Sequence, residues 1–597
     1  MRGIELSVGV RARIATCALA ASIAACTGAA QAQPAAGSTA PSVTPLPSGQ
    51  GWTATDQNTF YTTGQGSHLI RAAWFKALRQ LDIDAPFGAD QLQRYGYLAK
   101  DDGTNLPIGF VPEKASGQLG LTCAACHTGQ IEYVKDNKTY VMRVDGAPAS
   151  ADFQHFLSDL VAAARATLNQ PDRFDAFAKA VLGGDYSSAS AAKLKDDFGK
   201  WVGTFGSFMD ISLPSSSPWG PGRLDAFGMI FNRVAGLDLG IVPGNIKTAD
   251  APVSYPFLWY ASRQDHTQWN GAVENGLDIQ GLGRNTGEVM GVFADFTPQP
   301  GHLGVPPSFK DNSVDFAGLQ ALEEMIERLQ PPKWPSDLFG YDPKLAAKGG
   351  PLFEKNCGRC HDETHSDLLA GAWATPVTWV GTDSKMADNA KRQSNPGIYK
   401  GLPLPPPSIG LFTDQSNTKD ILARSVVGSL LDEAFIGVTP VNFWIKLRSG
   451  VWRAVYKDAQ KQHRILIRTV LTPGGLDSLK IIIVTQLKSL FNAPSPDGAY
   501  ESRVLHGIWA TAPYLHNGSV PSLWELMKPP KDRVTSFNVG CRRFDTKNVG
   551  FVSDDPSCMT GTFKVDATNG NGNGGHDFGT TLSEDDRWAI VEYLKTY

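Results

Sequence analysis

The sequence predicts a mainly α-helical protein with long loops and little β-sheet, organised as two domains around two similar centres. Three observations predict it. The pattern Cys-x-x-Cys-His occurs twice, in "LTCAACHTGQ" (Leu121 to Gln130) and in "EKNCGRCHDE" (Glu354 to Glu363). Capped helical segments lead into the second motif and form the C-terminus. Sixty-one glycines and 39 prolines break much of the remainder into loops, because neither residue suits a helix interior.

In chain order, Arg2, Arg11 and Arg13 precede the apolar run "IATCALAASIAAC" and an Ala-x-Ala site at Ala30 and Ala32. This is the pattern of a secretory signal peptide, residues 1–32, cut before Gln33. A rival reading takes "IAAC" as a lipoprotein signal that leaves a lipid on Cys26. Either way the mature protein is expected to be periplasmic or secreted. No later segment has the ~18 apolar residues of a transmembrane helix. Residues 33–50, rich in Pro, Ser and Ala, read as a flexible linker. The first domain then runs over 51–335. "QPPKWPSDLFGYDP", with four prolines in fourteen residues, marks the boundary to a second domain over 336–597.

In that second domain Asp342 can cap and Pro343 can open a helix running into the second motif. Ser583, with Asp586 three residues on, can cap the last helix, which places Trp588, Val591 and Leu594 on one face. A basic, apolar insertion at about 441–490 stands apart. It is expected to lay its apolar face on the domain, with a surface for a membrane or hydrophobic polymer as the alternative.

Composition excludes some classes. A formal charge of −4, with 42% hydrophobic and 19% charged residues, gives no general attraction to nucleic acid. Cys17 and Cys26 belong to the leader, and Cys123, Cys126, Cys357 and Cys360 to the repeated motif. Cys541 and Cys558 remain, and in an oxidising compartment they are expected to form a disulfide. Closing that short loop is worth about 3 kcal/mol in the chain-entropy treatment.

The repeated motif points to c-type haem. Two thiols at this spacing can bond the vinyl groups on one edge of a haem, and the adjacent histidine reaches the iron. Structural zinc needs four protein ligands. It would have to join motifs more than 200 residues apart and leave two histidines unexplained. Two covalently bound haem c groups are therefore expected, on Cys123, Cys126 and His127 and on Cys357, Cys360 and His361. A helix into the motif and a helix at the C-terminus frame a small c-type cytochrome, so the fold class is two cytochrome c-like haem domains. With His127 and His361 as proximal ligands, the opposite face of each haem decides function. His576, on a Gly/Asn loop before the final helix, and His516 both compete for the second iron. His155 and His266 remain options at the first.

"GQGSHLIRAAWFKAL", "GLTCAACHTGQ", "RVDGAPASADF", "WGPGRLDAFGMIFNRV", "QWNGAVENG", "RNTGEVMGVF", "GIWATAPYLHNGSVPSL" and "GHDFGTTLSEDDRWAIVEYLKTY" together resemble the di-haem cytochromes typified by rubber oxygenases. Those are distant relatives of bacterial di-haem cytochrome c peroxidases. The resemblance runs from about Gly51 to the end. It implies that the N-terminal haem binds dioxygen and the C-terminal haem is six-coordinate, with His576 as its sixth ligand and His516 nearby. It also implies that Trp269 lies between the haems as an electron relay. Glu288, nineteen residues beyond Trp269, matches the distal glutamate of di-haem peroxidases, whereas rubber oxygenases keep an apolar distal pocket. The function expected is cleavage of C=C bonds in an apolar polymer such as polyisoprene, or in a small-molecule substrate, using O2. The alternatives are a peroxidase fed by a redox partner protein and an electron-transfer cytochrome. The insertion departs from the family pattern and puts substrate access in question.

Overall fold

The computed structural model describes residues 42–239, 242–264, 266–299, 309–361, 374–405, 408–435, 450–461, 498–555, 558 and 561–597. The expected leader lies outside these residues, as does most of the insertion.

Part of the stretch expected to be a flexible linker is ordered. Residues Ser42–Leu46 form strand β1, and buried Gln50 exchanges two hydrogen bonds with the Asp145 main chain. Partners more than ninety residues away, invisible in a Pro/Ser-rich composition, account for the order. Helix α1 (Ala54–Thr62) starts at a capping box between Thr53 and Asp56.

Strands β2 (Phe110–Pro112) and β3 (Gln118–Leu121) pair antiparallel, Phe110 opposite Leu121. They deliver the chain into a one-turn helix, α2 (Cys123–Cys126), capped by Thr122. Next comes the longest hairpin, β4 (Thr128–Lys135) with β5 (Lys138–Asp145), in register from Thr128↔Asp145 to Lys135↔Lys138. Its turn residues Asp136 and Asn137 both have positive φ, 51° and 58°, the twist that two-residue hairpins favour.

Three helices follow: α3 (Phe153–Asn169), capped by Asp152, α4 (Pro171–Leu182) and α5 (Ser188–Ser212), capped by Ser187. Their apolar faces enclose an aromatic-rich cluster containing Phe156, Phe177, Phe198 and Phe208.

A short strand, β6 (Val253–Ser254), precedes α6 (Asp278–Gly291) and α7 (Phe316–Ile326). A second apolar cluster joins α6 and α7 to α10 (Thr418–Phe435) and α11 (Gly450–Lys461) of the C-terminal half.

In that half α8 (Pro343–Phe353) begins as its sequence suggests. Asp342 accepts hydrogen bonds from the Lys344 and Leu345 amides, and Pro343 occupies the first position. Strand β7 (Ala374–Pro376) pairs with β8 (Ala499–Glu501), and α9 (Val377–Val380) follows β7 directly. The terminal helix α12 (Glu584–Thr596) is capped by Ser583. It lies against α8 so closely that a Cβ on Gly349 would come within 1.9 Å of the Ala589 carbonyl oxygen, a contact only glycine permits.

The halves expected as separate domains share a core. Trp334, from the proline-rich stretch, meets Trp509 edge-on at 5.2 Å, and Trp509 Nε1 donates to the Pro332 carbonyl. Glu132 of β4 donates its amide to Arg542 at 2.8 Å. Residues 43–597 form one compact unit. Strands are short, but antiparallel pairs of them recur through it. Cys541 and Cys558 are joined as a disulfide. Among the described residues no helix is long and apolar enough to cross a membrane.

One polar clamp closes the region in front of α2. The His68 imidazole bonds Asp295 at 2.6 Å and Glu113 at 2.7 Å, tying the β2–β3 hairpin to the segment after α6. Burial alone would lower the His68 pKa, but the bonds to Asp295 and Glu113 outweigh it and raise it. A folded-state pKa above the unfolded one stabilises the fold below about pH 6.5 and loses that effect as pH rises through the folded value. We expect the urea midpoint to fall as pH rises through that window, and the slope to flatten in His68→Asn. An unchanged slope in the variant would dissociate the clamp from stability.

Candidate functional site

Each Cys-x-x-Cys-His motif forms part of the wall of a large cavity. The first cavity encloses about 1310 Å³ of atom-free space, part of it continuous with solvent, and is lined by Cys123, Cys126 and His127. The second encloses about 1230 Å³ and is lined by Cys357, His361, His516 and His576. Cys360 sits between Cys357 and His361 on the same helical turns. Because the motifs occupy different cavities, they do not combine into one four-thiolate zinc site.

In the first cavity, α2 is packed tightly onto the preceding loop. The Thr122 amide donates to the Gly109 carbonyl, and at Gly109 (φ +79°) a Cβ would meet the Ala125 nitrogen at 2.1 Å. Burial pushes the Cys123 and Cys126 thiols up to about 12. As free cysteines they would be protonated, unlike reactive or zinc-binding thiolates. Burial likewise lowers the His127 pKa to about 4, the facing Pro256 carbonyl only partly opposing it. The imidazole is therefore neutral, the state in which it binds a metal. Its Nδ1 makes no hydrogen bond of good geometry.

Across the cavity, α6 presents Arg284, Asn285 and Glu288. Arg284 bridges to Glu323 of α7 at 2.6 Å, and Asn285 donates to the same carboxylate at 3.0 Å. Gln268 Nε2 donates to Glu288 Oε1 at 2.6 Å. Burial raises the Glu288 pKa, with Arg284 opposing and Glu323 reinforcing the shift. The rest of the lining is mostly apolar and includes Leu121, Phe153, Met229, Ile230 and Val253. Among the described residues, His127 is the only histidine in the lining.

In the second cavity, His361 Nδ1 donates to the Arg503 carbonyl at 2.6 Å, which leaves Nε2 free to face the cavity. His576 faces it with ring centres 6.3 Å apart. With metal–imidazole bonds of about 2 Å, this spacing leaves room for a metal ion that His361 and His576 would both hold. His576 adopts φ 47° beside Gly575 at φ 66°. Its amide donates to the Val380 carbonyl of α9. Arg533 secures the loop through four bonds to the carbonyls of Asn573, Gly575, His576 and Leu526. Burial, with the nearby His361 and Arg533 charges, brings the His576 pKa down to about 3, so it too is neutral. His516 stacks on Tyr500 at 4.1 Å instead of facing His361.

Trp269, Ser254, Tyr255, Phe257, Glu501 and Arg503 line both cavities and form the wall between them. Trp269 Nε1 donates to the Ser254 carbonyl at 2.8 Å, and the Arg503 guanidinium lies 5.8 Å from its ring.

A RoxA-like, cytochrome c-like family profile matches residues 499–538. That segment supplies Tyr500, Arg503, His516 and Met527 to the second cavity. "Uncharacterized protein y4iJ" of Sinorhizobium fredii is 30% identical over 596 residues, covering 92% of each chain. The chain belongs to the y4iJ family. "Uncharacterized protein y4iM" of the same organism is 22% identical over 331 residues, 54% of this chain and 56% of its own. A cytochrome c-like region implies covalently bound haem c, and the RoxA-like match places the protein among haem oxidoreductases in general. The residues fit that group: partly buried thiols (Cys123 and Cys126 at the first cavity, Cys357 at the second), neutral imidazoles and largely apolar walls meet at the cavities.

Two candidate histidines lie elsewhere. His155 is half-exposed on α3 and faces Asp159, and His266 is buried on a short strand that lines the first cavity through Thr267 and not through His266 itself. Arg503, Tyr255, Gln268 and Asn285 were not foreseen. Arg284 had a signal, since it stands four residues before Glu288 on one helix face. Arg503 acts on His361 through its main chain, which no side-chain pattern reveals.

Replacing His576 with Ala is expected to convert a low-spin haem signal to high-spin and to create a new azide-binding position. Arg533→Ala should give a partial version by loosening the loop. An unchanged spectrum in His576→Ala would remove His576 from the ligand set.

Proposed function

We propose that the protein is an exported di-haem c-type cytochrome whose first cavity cleaves C=C bonds of an apolar polymer, such as polyisoprene, with O2. The observation that carries the reading is the asymmetry of the two cavities. His361 faces a second imidazole, whereas among the described residues no other histidine lines the cavity of His127. One site is thus suited to electron exchange and the other to an exogenous ligand.

Cys123, Cys126 and His127 would hold haem in the first cavity, and Cys357, Cys360, His361 and His576 in the second. Haem in the first cavity would supply the oxygen chemistry. The chain's part is to position, dry and tune. Leu121, Phe153, Ile230 and Val253 exclude water and accept an apolar substrate. Trp269, in the shared wall, offers a relay between the sites. Both atoms of O2 would enter the two carbonyl products, so the overall reaction needs no outside reductant.

Glu288 favours a second reading, a peroxidase. Burial raises its pKa, which eases proton uptake at the carboxyl, and Gln268 donates a hydrogen bond to it. Reduction of H2O2 to two waters would then need two electrons from a donor protein, entering through the second site.

Oxygen uptake by the holoprotein on polyisoprene latex, without reductant, tests the choice, with carbonyl products read by mass spectrometry. Uptake is expected, and Glu288→Gln should retain most of it. Silence on latex would overturn the oxygenase. H2O2 turnover with a reduced donor, falling about 10²-fold in Glu288→Gln, would establish the peroxidase.

A further inference from the structure

Helix α11 belongs to the insertion that departs from the family pattern, and its contacts converge on α6. An α-helix leaves its first amides without partners inside the helix. At the start of α6, the Leu277 amide is taken by Gln280 Oε1 and the Gln280 amide by the Leu277 carbonyl. The next two, Asp278 and Ile279, donate to the two carboxylate oxygens of Asp458 on α11, at 2.6 and 3.0 Å. Asp458 is fully buried. A carboxylate held there needs the helix N-terminus as its partner, just as the helix needs the carboxylate.

The same helix is fastened on either side. Lys457 lies 3.4 Å from Asp278 and 3.3 Å from Glu327, and Arg453 pairs with Glu324 of α7. Val451, Trp452, Ala454 and Val455 are buried in the cluster shared with α6 and α7, and Trp452 Nε1 donates to the Ala434 carbonyl. From Asp278 to Glu288 is about 15 Å along α6. The face that enters the first cavity carries Arg284, Asn285, Glu288 and Gly291.

Among the described residues, the other holds on α6 come from outside the insertion. Glu323 grips its middle. The segment past its C-terminus is held by Ser67, bonded to the Val292 carbonyl, and by Arg233, bonded to the Ala294 carbonyl.

We infer that Asp458 is a positioning residue for the first cavity: the insertion sets the axial placement of α6, and with it the Glu288 carboxyl and the Arg284–Asn285 pair. The inference rests on the first cavity being the reactive one, and holds for either substrate reading.

The test uses the holoprotein with Asp458→Ala and, in case that variant does not fold, Asp458→Asn, which keeps the shape but not the charge. Hydrogen exchange read by mass spectrometry should quicken in α6 and not in α8 or α12. Azide affinity and the absorption spectrum of the first haem should shift, the affinity by about tenfold, with Asp458→Asn intermediate and the second haem unchanged. Unchanged α6 exchange in both variants would overturn the inference. So would faster α6 exchange with a wild-type first-haem spectrum and azide affinity, which would make Asp458 a stability residue only. Should the wild-type protein bind no azide at the first haem, the open-site reading fails by itself, while α6 exchange and the first-haem spectrum still decide the role of Asp458.

Discussion

The hydrogen bond from His361 to the main-chain oxygen of Arg503 is the contact on which the two cavities jointly depend. The same residue sends its side chain to the Phe257 carbonyl at 2.7 Å and stacks on the Phe257 ring. Two residues earlier, the Glu501 amide donates to the Trp269 carbonyl at 2.7 Å. The end of β8 and the two residues after it therefore both hold Trp269 in the wall of the two cavities and orient the imidazole of one. A displacement of β8 would turn His361, shift Trp269 and alter both linings together. This is why the halves fold as one unit although each carries its own motif.

Electrostatics divides the sites more sharply than shape does. Burial depresses the pKa of His127, His361, His516 and His576, so the imidazoles around both cavities are neutral and available as ligands or apolar packing. Beyond the shared wall, which carries Glu501 and Arg503, the first cavity has a charged side where Glu288, Arg284 and Glu323 offset one another. The second cavity holds its charge in the wall and behind the His576 loop, where Arg533 is spent on main-chain carbonyls. An acid–base group thus faces one cavity, and a second imidazole faces the other.

Much of this was legible in the sequence where the determinant is local. The caps at Asp342 and Ser583, the motifs at Cys123 and Cys357, and the glycine-flanked position of His576 each depend on a few neighbouring residues. Glu288 and Trp269 were legible through resemblance, and they line the cavity together. Determinants made of long-range contacts were not legible. Gln50 is ordered by Asp145, β4 is extended by Arg542, and the amides of α6 are satisfied by Asp458, none of which leaves a periodic trace. The insertion was read as a covering surface. Within residues 450–461 it does cover α6 and α7, but its buried acid also completes a helix, which composition alone could not distinguish.

The shared wall carries a consequence for the order of assembly. Its two strands, near residues 254 and 501, are separated by some 245 positions, and contacts of such sequence separation form late in folding. Once they form, Cys123 and Cys126 are partly covered in the wall of the first cavity, and burial raises their thiol pKa. On the proposed reading, attachment of haem at these thiols would precede closure of the wall at Arg503.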